Sequence, residues 1–278
     1  MSASAPVARI LPLSTVDGPG SRTTVFLQGC NLSCAYCHNP ETQRLCDGCG
    51  LCVPACPAGA LARTPGGVAW DGGRCLRCDA CLAACPRFSS PRVRWRTARA
   101  VARAVEEGLP FIRGVTVSGG ECTLYPSFLE ELFRLLRPAG LTCLLDSNGT
   151  FDFARAPRLL EACDGVLLDV KAWDPAVYRA LTGRAPSAPS CARLLAGRGK
   201  LAELRVVCAE HRVDVPAVLS GLARQLGDYV RDAPLVLIRF RPHGARGPAA
   251  AWPPPSEAWM QAMADRAAGC GFARVTLR

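Results

Sequence analysis

Three cysteines near the amino terminus have a spacing that suits an iron-sulfur cluster with one free corner. Cys30, Cys34 and Cys37 lie in the run QGCNLSCAYCHNP (residues 28–40), where a zinc site or a disulfide framework would usually need four cysteines. Four thiolates suit a cluster that only transfers electrons. A four-iron cluster with three thiolates keeps one iron open, and that iron can bind a small ligand. The spacing therefore predicts a cluster that binds its substrate directly.

Eight further cysteines form two copies of the motif CxxCxxCxxxCP, which begin 29 residues apart. Bacterial ferredoxins carry this motif, and in them the fourth cysteine of each copy binds the other cluster. On that rule one [4Fe-4S] cluster is bound by Cys46, Cys49, Cys52 and Cys85. The second is bound by Cys56, Cys75, Cys78 and Cys81. A pair of zinc sites is the alternative, because CxxC pairs also bind zinc.

The seventeen cysteines of this 278-residue chain need an explanation that depends on the cellular compartment. The first residues, MSASAPVARILPLS, lack a charged segment followed by an apolar one, and no apolar run approaches the roughly 18 residues of a membrane span. We therefore expect a cytoplasmic protein without membrane contact, whose reduced thiols bind metal. The six remaining cysteines stand singly and indicate buried thiols: Cys122, Cys143, Cys163, Cys191, Cys208 and Cys270.

The formal net charge of the chain is +10. The arginines are scattered along predicted helices and form no basic stripe interleaved with aromatic residues, so we expect no nucleic-acid partner. Three assembled clusters would lower the net charge to about +5. A moderately basic surface suits an acidic electron donor.

A longer run, STVDGPGSRTTVFLQGCNLSCAYCHNP (residues 14–40), resembles the signature of the glycyl-radical-enzyme activating enzymes in the radical S-adenosylmethionine (SAM) superfamily. The resemblance continues through VSGGE (117–121), LLDSNGT (144–150), LLDVKAW (167–173), LTGR (181–184) and GKLAELRVV (199–207). The double ferredoxin motif makes the chain most similar to the YjjW-type enzymes. The resemblance implies an oxidoreductase that reductively cleaves SAM to methionine and a 5'-deoxyadenosyl radical. That radical then abstracts hydrogen from a glycine of a partner enzyme.

The resemblance also implies cofactors and partners. The cofactors are SAM, three [4Fe-4S] clusters and a monovalent cation, and the catalytic residues are the three cysteines of the SAM-cleaving cluster. The partners are a YjjI-like glycyl radical enzyme, and flavodoxin or ferredoxin as the electron donor. Two alternatives remain open: a radical SAM enzyme that acts on a small molecule or peptide, and a non-catalytic iron-sulfur electron carrier.

Several residues are expected, by resemblance, near the nucleoside and the methionyl ammonium of SAM. Tyr36 is expected against the adenine with His38 close by, and His243 on the nucleoside side. The loop after the second predicted strand is expected to offer backbone carbonyls and a carboxylate to the ammonium, because glycine permits close approach of the backbone. These residues are Gly119, Gly120 and Glu121.

A second group is expected, by resemblance, near the methionyl carboxylate and the cation; it comprises Asp146, Ser147, Asp169, Val170, Lys171 and Arg205. Asp146, Ser147 and Asp169 resemble cation ligands, whereas Lys171 and Arg205 offer positive charge to the carboxylate. A simpler alternative is open for three of them. Asp169 and Lys171 would form a salt bridge on one strand face, and Arg205 would be an ion-pair partner inside the barrel.

Six β-rich runs must position these residues: TTVFLQG, GVTVSGGE, LTCLLDSNG, GVLLDVK, LAELRVVC and PLVLIRF. They alternate with stretches predicted to be helical, at residues 96–108, 127–137 and 153–163 and near residues 175–181, 190–198 and 216–226. This alternation predicts parallel βαβ units whose ligands bind at the carboxyl ends of the strands. The expected fold class is α/β, a partial (β/α)6 radical SAM barrel with an inserted ferredoxin-like 2x[4Fe-4S] domain. We expect the barrel to span residues 1–40 and 93–278 and the insert residues 41–92. The insert either carries electrons to the catalytic cluster or helps to recognise the partner.

Overall fold

The structure is a computed structural model that describes residues 2–185 and 191–278. Its strands are β1 (Ser4–Ser14), β2 (Arg22–Leu27), β3 (Leu61–Thr64), β4 (Gly67–Trp70), β5 (Arg94–Thr97), β6 (Gly114–Gly119), β7 (Thr142–Ser147), β8 (Gly165–Asp169), β9 (Leu201–Cys208), β10 (Pro234–Arg239) and β11 (Arg274–Leu277). Its helices are α1 (Ala80–Ala83), α2 (Ala98–Glu106), α3 (Pro126–Leu136), α4 (Pro157–Ala162), α5 (Pro175–Thr182), α6 (Cys191–Gly197), α7 (Val215–Leu226) and α8 (Glu257–Gly269). None of these helices is both long and apolar enough to cross a membrane.

Nine strands form one open sheet in the order β11-β10-β9-β8-β7-β6-β2-β1-β5. Every neighbouring pair from β2 through β11 is parallel, whereas β1 pairs antiparallel with both β2 and β5. The six predicted strands are β2, β6, β7, β8, β9 and β10, and they occupy consecutive places in the sheet. The prediction of a parallel α/β sheet is therefore confirmed, and its open edges agree with a partial barrel.

The predicted elements do not include strands β1, β3, β4, β5 and β11 or helices α1 and α8. Strand β1 contains Pro6 and Pro12, which lack the backbone N–H that a strand donates to its neighbour. The predicted helix near residues 190–198 is α6, and Ser190 itself lies outside the described residues. The other predicted helices correspond to α2, α3, α4, α5 and α7.

The two faces of the parallel sheet differ in polarity because side chains alternate along each strand. Val25, Val117 and Leu204 belong to the main apolar cluster, which also contains buried side chains of α2, α3, α4, α6 and α7. The opposite face carries Thr116, Arg205 and other polar side chains that are also buried. Helices therefore cover one face, and the polar groups line the concave interior.

The DGPG turn of residues 17–20 lies at the amino-terminal end of the parallel strands. Arg22, only 1% exposed, donates hydrogen bonds to Thr116 Oγ1 at 2.8 Å, to Val115 O at 2.7 Å and to Thr142 O at 2.8 Å. Thr116 Oγ1 in turn donates to Asp17 O at 2.6 Å. This part of the family signature closes one end of the interior.

Residues between the first cysteine loop and β5 contain the hairpin of β3 and β4, helix α1 and a small apolar cluster of their own. The two cysteine motifs share a backbone conformation that repeats every 29 residues. Three glycines with positive φ match three non-glycine residues with positive φ; the pairs are Gly48 with Arg77, Gly50 with Asp79 and Gly59 with Phe88. Both halves of the segment therefore follow one local path, as the internal sequence repeat predicts. The ferredoxin-like nature and the boundaries of this insert stay predictions.

Candidate active site

A cavity opens at the carboxyl ends of the parallel strands, at the edge where ligands bind in α/β proteins. The predicted site residues that line it are Cys30, Cys34, Tyr36, Cys37, His38, Gly119, Gly120, Asp146, Ser147, Asp169, Lys171 and Arg205. Three predicted residues, Glu121, Val170 and His243, are not part of its lining. The fold therefore brings the three cysteines and most of the predicted SAM residues to one place.

The loop that carries the three cysteines is held by the end of helix α5. The backbone N–H groups of Ser33 and Ala35 donate to Thr182 O at 2.9 Å and to Leu181 O at 2.8 Å. Arg184 Nε donates to Asn31 O at 3.0 Å. The LTGR motif thus acts by anchoring the cysteine loop from outside the cavity.

The thiols of the three cysteines are half-buried. Burial raises the pKa of Cys30 to about 12 and that of Cys34 to about 11, and it also raises the pKa of Cys37. A metal binds the thiolate form, so metal binding here must release protons.

Gly119, the last residue of β6, and Gly120, which follows it, lie very close to the backbone of the cysteine loop and of β2. A Cβ atom on Gly119 would lie 2.1 Å from Leu27 O, and one on Gly120 would lie 2.1 Å from Gly29 O. The backbone N–H groups of Gly120 and Glu121 donate to Leu27 O and Gly29 O at 2.9 and 2.8 Å. Glycine is therefore needed to bring this loop against the cysteine loop, and both glycines also line the cavity.

Glu121 differs from the expectation because its carboxylate is bound by the protein itself. It is 1% exposed and accepts hydrogen bonds from the Thr123 and Asn148 backbone N–H groups and from the Thr123 and Ser147 hydroxyls. Burial raises its pKa, and these four donors oppose that rise. In this structure the carboxylate joins the loops after β6 and β7 beneath the cavity.

Asp146 and Arg205 form the charged centre of the cavity. Arg205 Nε bonds Glu203 Oε2 at 2.9 Å, and Arg205 Nη1 lies 3.6 Å from Asp146 Oδ1. Ser118 Oγ donates to Asp146 Oδ2 at 2.7 Å. Burial raises the pKa of Asp146 to about 6, although Arg205 opposes the rise. Arg205 Nη2 is buried and has no hydrogen-bond partner in the structure.

Asp169 and Lys171 form an ion pair of 2.6 Å, so the simpler alternative for them describes a real contact. Both residues nevertheless line the cavity. Burial alone would lower the pKa of Lys171, but Asp169, Tyr36 and Cys34 together outweigh it and raise the pKa. Val170, between them, points to the opposite face and is buried in the main apolar cluster. Alternation along the chain explains why Val170 is not in the cavity.

Two aromatic rings bound the side of the cavity next to the cysteine loop. Tyr36 is 3% exposed, and its hydroxyl lies 3.5 Å from Lys171 O. The His38 ring stacks on Phe240 with centroids 5.9 Å apart, and its Nε2 lies 3.1 Å from Arg241 O. His243 is exposed in the loop after β10, outside the cavity lining. Of the two histidines, His38 therefore forms part of the cavity wall and His243 does not.

Several residues of the cavity wall were not predicted from the sequence, namely Leu32, Asn39, Gln43, Ser118, Asn148, Val207 and Ile238. Val207 follows Arg205 at a spacing of two on β9 and pairs in register with Ile238 on β10. Strand alternation was therefore the signal that could have found Val207. Asn148 Nδ2 lies 3.9 Å from Cys30 Sγ, a contact that depends on loop packing.

A family model described as the radical SAM superfamily matches residues 24–192, which is more than half of the chain. The chain belongs to the radical SAM superfamily. The match contains the three cysteines and the loops after β6, β7 and β8.

Curated relatives of this radical SAM chain confirm its resemblance to glycyl-radical-enzyme activating enzymes. A Haemophilus influenzae protein proposed to be a glycyl-radical enzyme activating enzyme is 31% identical over 87% of this chain and 84% of that protein. The indoleacetate decarboxylase activating enzyme of Tractidigestivibacter scatoligenes is 33% identical, over 63% of each chain. The pyruvate formate-lyase-activating enzyme of Streptococcus mutans is 31% identical over 78% of this chain and 68% of that enzyme.

The crystal structure of QueE from Escherichia coli has a similar fold. It superposes with a TM-score of 0.56 and 15% identity, over 99% of this chain and 94% of that chain. At this identity the similarity concerns the radical SAM fold alone.

The eight insert cysteines are grouped by the folding of the repeat. Cys56, Cys75, Cys78 and Cys81 line one small cavity, which also contains Trp70 and Arg92. Cys46, Cys81 and Cys85 lie close enough to Cys52 for their charges to raise its pKa, although burial is the larger cause. The fourth cysteine of each motif thus lies near the other motif. Within the described residues, no three His, Cys, Asp or Glu side chains are grouped as they would be around a single metal ion.

The six single cysteines of this radical SAM chain agree with the prediction of buried thiols. Five are buried and Cys270 is half-buried. Cys122, next to the GGE loop, is completely buried, and its thiol lies 3.3 Å from Asp146 O.

Proposed function

We propose that this chain is an activating enzyme that cleaves SAM and generates a radical on a glycine of a partner enzyme. One observation carries the proposal: the three cysteines open into the same cavity as the buried Arg205 Nη2, which has no hydrogen-bond partner among the residues that the structure describes. A buried donor without a partner is costly unless a ligand completes it. An anionic ligand beside the cysteine loop is the simplest completion, and the methionyl carboxylate of SAM has this chemistry.

The residues of the cavity fit the cofactors. Cys30, Cys34 and Cys37 would hold the SAM-cleaving [4Fe-4S] cluster. This cluster supplies one electron that cleaves SAM to methionine and a 5'-deoxyadenosyl radical, which takes hydrogen from the partner's glycine. The protein supplies orientation and exclusion of water.

The cavity contains groups that are chemically complementary to each end of SAM. Arg205 would donate from Nη2 to the methionyl carboxylate, because its other nitrogens are held by Glu203 and Asp146. The carbonyls of Gly119 and Gly120 would accept from the ammonium. Asp146, Ser147 and Asp169 would bind a monovalent cation, and Tyr36 and His38 would lie beside the adenine.

We propose two further [4Fe-4S] clusters in the insert, with the exchanged fourth ligands that the ferredoxin motif predicts. The cavity that contains Cys56 with Cys75, Cys78 and Cys81 supports this arrangement. The set of Cys46, Cys49, Cys52 and Cys85 completes it. These clusters carry electrons from flavodoxin or ferredoxin. The insert also supports the proposal that this chain is a YjjW-type enzyme, whose partner is a YjjI-like glycyl radical enzyme.

Anaerobic reconstitution tests this function. Reduced protein supplied with SAM and a glycyl radical enzyme should yield 5'-deoxyadenosine and a glycine-centred doublet in the electron paramagnetic resonance (EPR) spectrum of the partner. The variant Cys34→Ala should lose both, and its iron content should fall from about twelve to about eight atoms per chain. Formation of 5'-deoxyadenosine without a protein radical would indicate a small-molecule or peptide substrate instead.

A further inference from the structure

The two cysteine loops of the insert share a backbone conformation but differ in the residues that adopt it. Gly48 and Gly50 in the first loop both have a φ of 73°. The equivalent residues of the second loop are Arg77 and Asp79, with φ of 55° and 59°. Glycine adopts this left-handed conformation more readily than a residue with a side chain does. The second loop therefore holds two side chains at positions where the first loop uses glycine.

The backbone N–H of Arg77 bonds the Cys75 thiol, as the Gly48 N–H bonds the thiol of Cys46, but the side chains of Asp79 and Arg77 differ in their contacts. Asp79 Oδ1 forms an ion pair of 2.5 Å with Arg92. The Arg77 side chain is exposed and makes no hydrogen bond or ion pair with any residue that the structure describes. The loop around Cys75 explains the backbone conformation of Arg77, and its exposed side chain is left available to a partner protein.

The neighbours of Arg77 form a small docking surface with it, defined here as Arg74, Leu76 and Arg77. Leu76 is 68% exposed, and Arg74 is also exposed. Cys78, next to Arg77, is exposed too. The carboxylate of Asp71 accepts hydrogen bonds from the backbone N–H groups of Gly73 and Arg74, and that of Asp79 pairs with Arg92. An apolar side chain between two guanidinium groups has the composition of a protein interface.

The docking surface lies on the half of the insert away from the SAM cavity. The other half adjoins the SAM cavity, because Arg44, Pro86 and Phe88 line a cleft together with Cys34 and Cys37. Ser89 Oγ and Gln28 Nε2 both donate to Arg44 O at 2.7 Å and tie the two parts together. The cluster of Cys56, Cys75, Cys78 and Cys81 is therefore the outer one, and the cluster of Cys46, Cys49, Cys52 and Cys85 is the inner one.

We infer that an acidic one-electron carrier protein docks on Arg74, Leu76 and Arg77 and reduces the outer cluster. This inference rests on the proposed function and names the point of electron entry. One electron leaves the carrier, as when flavodoxin hydroquinone becomes semiquinone, and the outer cluster gains that electron. It then passes to the inner cluster and to the SAM-cleaving cluster. The positive charge of the two arginines selects an acidic carrier.

The variant Arg77→Gly removes the side chain that is proposed to bind the carrier without disturbing the loop, because glycine accepts the left-handed conformation without strain. The reconstituted variant should unfold at the same temperature as the parent protein or a higher one. Its Kd for oxidised flavodoxin, measured by calorimetry at low salt, should be at least about fivefold higher than that of the parent protein. The double variant R74E/R77E should weaken binding further and reduce its dependence on salt. Arg158→Glu, which changes an exposed arginine on helix α4, serves as the matched control and should bind flavodoxin like the parent.

Measuring SAM cleavage with two different reductants tests this inference separately from the proposed function. With dithionite, Arg77→Gly should form 5'-deoxyadenosine at the parental rate, whereas with reduced flavodoxin its rate should fall at least about fivefold. Unchanged flavodoxin affinity in Arg77→Gly and R74E/R77E would overturn the inference. So would weaker binding of the glycyl radical enzyme alone, which would make this surface a partner site. Failure of the parent protein to cleave SAM with dithionite would instead contradict the proposed function.

Discussion

The carboxylate of Glu121 accepts a hydrogen bond of 2.7 Å from the backbone N–H of Asn148. This bond joins the loop after β6 to the loop after β7, and both loops contribute residues to the SAM cavity. Its other oxygen accepts three hydrogen bonds, from the Thr123 N–H and from the hydroxyls of Thr123 and Ser147. Glu121 therefore holds the cavity wall together.

The variant Glu121→Gln tests this contact. A glutamine can keep one oxygen acceptor, but its amide nitrogen then faces the Asn148 N–H, so a buried donor loses its partner. We expect the free energy of unfolding to fall by about 1–3 kcal/mol in urea denaturation. Glu106→Gln, at an exposed position of helix α2, should change it by less than about 0.5 kcal/mol. Equal stability of the two variants would contradict the role of Glu121.

The buried Asp146 predicts a dependence of stability on pH. Its pKa in the folded protein is about 6, above the ordinary value of 3.8, because the site is buried. The folded state therefore keeps the proton to a higher pH than the unfolded state, and the contribution of Asp146 to stability falls as pH rises from about 4 to about 6. The difference in unfolding free energy between the parent and Asp146→Asn should show this fall and be flat above it. A difference that rises with pH would have the wrong sign.

Arg205→Lys should lose affinity for SAM while keeping the positive charge. A lysine has one charged nitrogen and cannot bind Glu203 and Asp146 while donating to a ligand as well. We expect the Kd of the reconstituted protein for SAM, measured by calorimetry, to rise at least about tenfold. Arg193→Lys, whose guanidinium contacts the backbone carbonyls of Gln225 and Leu226, is the matched control and should leave the Kd unchanged.

Gly120→Ala should displace the loop after β6 from the cysteine loop. The added Cβ would lie 2.1 Å from Gly29 O, a backbone atom that cannot rotate away. The melting temperature should fall by several degrees, and SAM affinity should fall with it. At Gly66 an added Cβ meets nothing within 4 Å, so Gly66→Ala should leave both unchanged. Parental SAM affinity in Gly120→Ala would show that this close approach is dispensable.

Arg22→Met tests whether the signature arginine is structural. The change removes the donors to Thr116, Val115 and Thr142, and the acceptors of Thr116 and Val115 are buried. We expect the free energy of unfolding to fall by at least about 3 kcal/mol. The protein that remains folded should bind SAM with parental affinity, because Arg22 lies at the end of the strands opposite the cavity. Arg113→Met, at a neighbouring exposed position, is the control.

Much of this protein could be predicted from local patterns. The cysteine spacings depend only on the reach of a short loop around a cluster, so they identify candidate ligands without a fold. The alternation of β-rich and helical runs predicted the six central strands, and parallel strands necessarily bring their following loops to one edge. The motifs VSGGE and LLDVK were therefore predicted to lie together at one edge of the sheet.

Only the tertiary structure decided what each polar group contacts. Glu121 and Arg22 belong to the recognised motifs, yet their hydrogen bonds go to the protein itself. The pairing of Arg205 on β9 with Asp146 on β7 also had no local signal. The physical reason is that these contacts join residues on different strands and loops. Strand register and loop packing set their distances, and neither is encoded by spacing along a single segment.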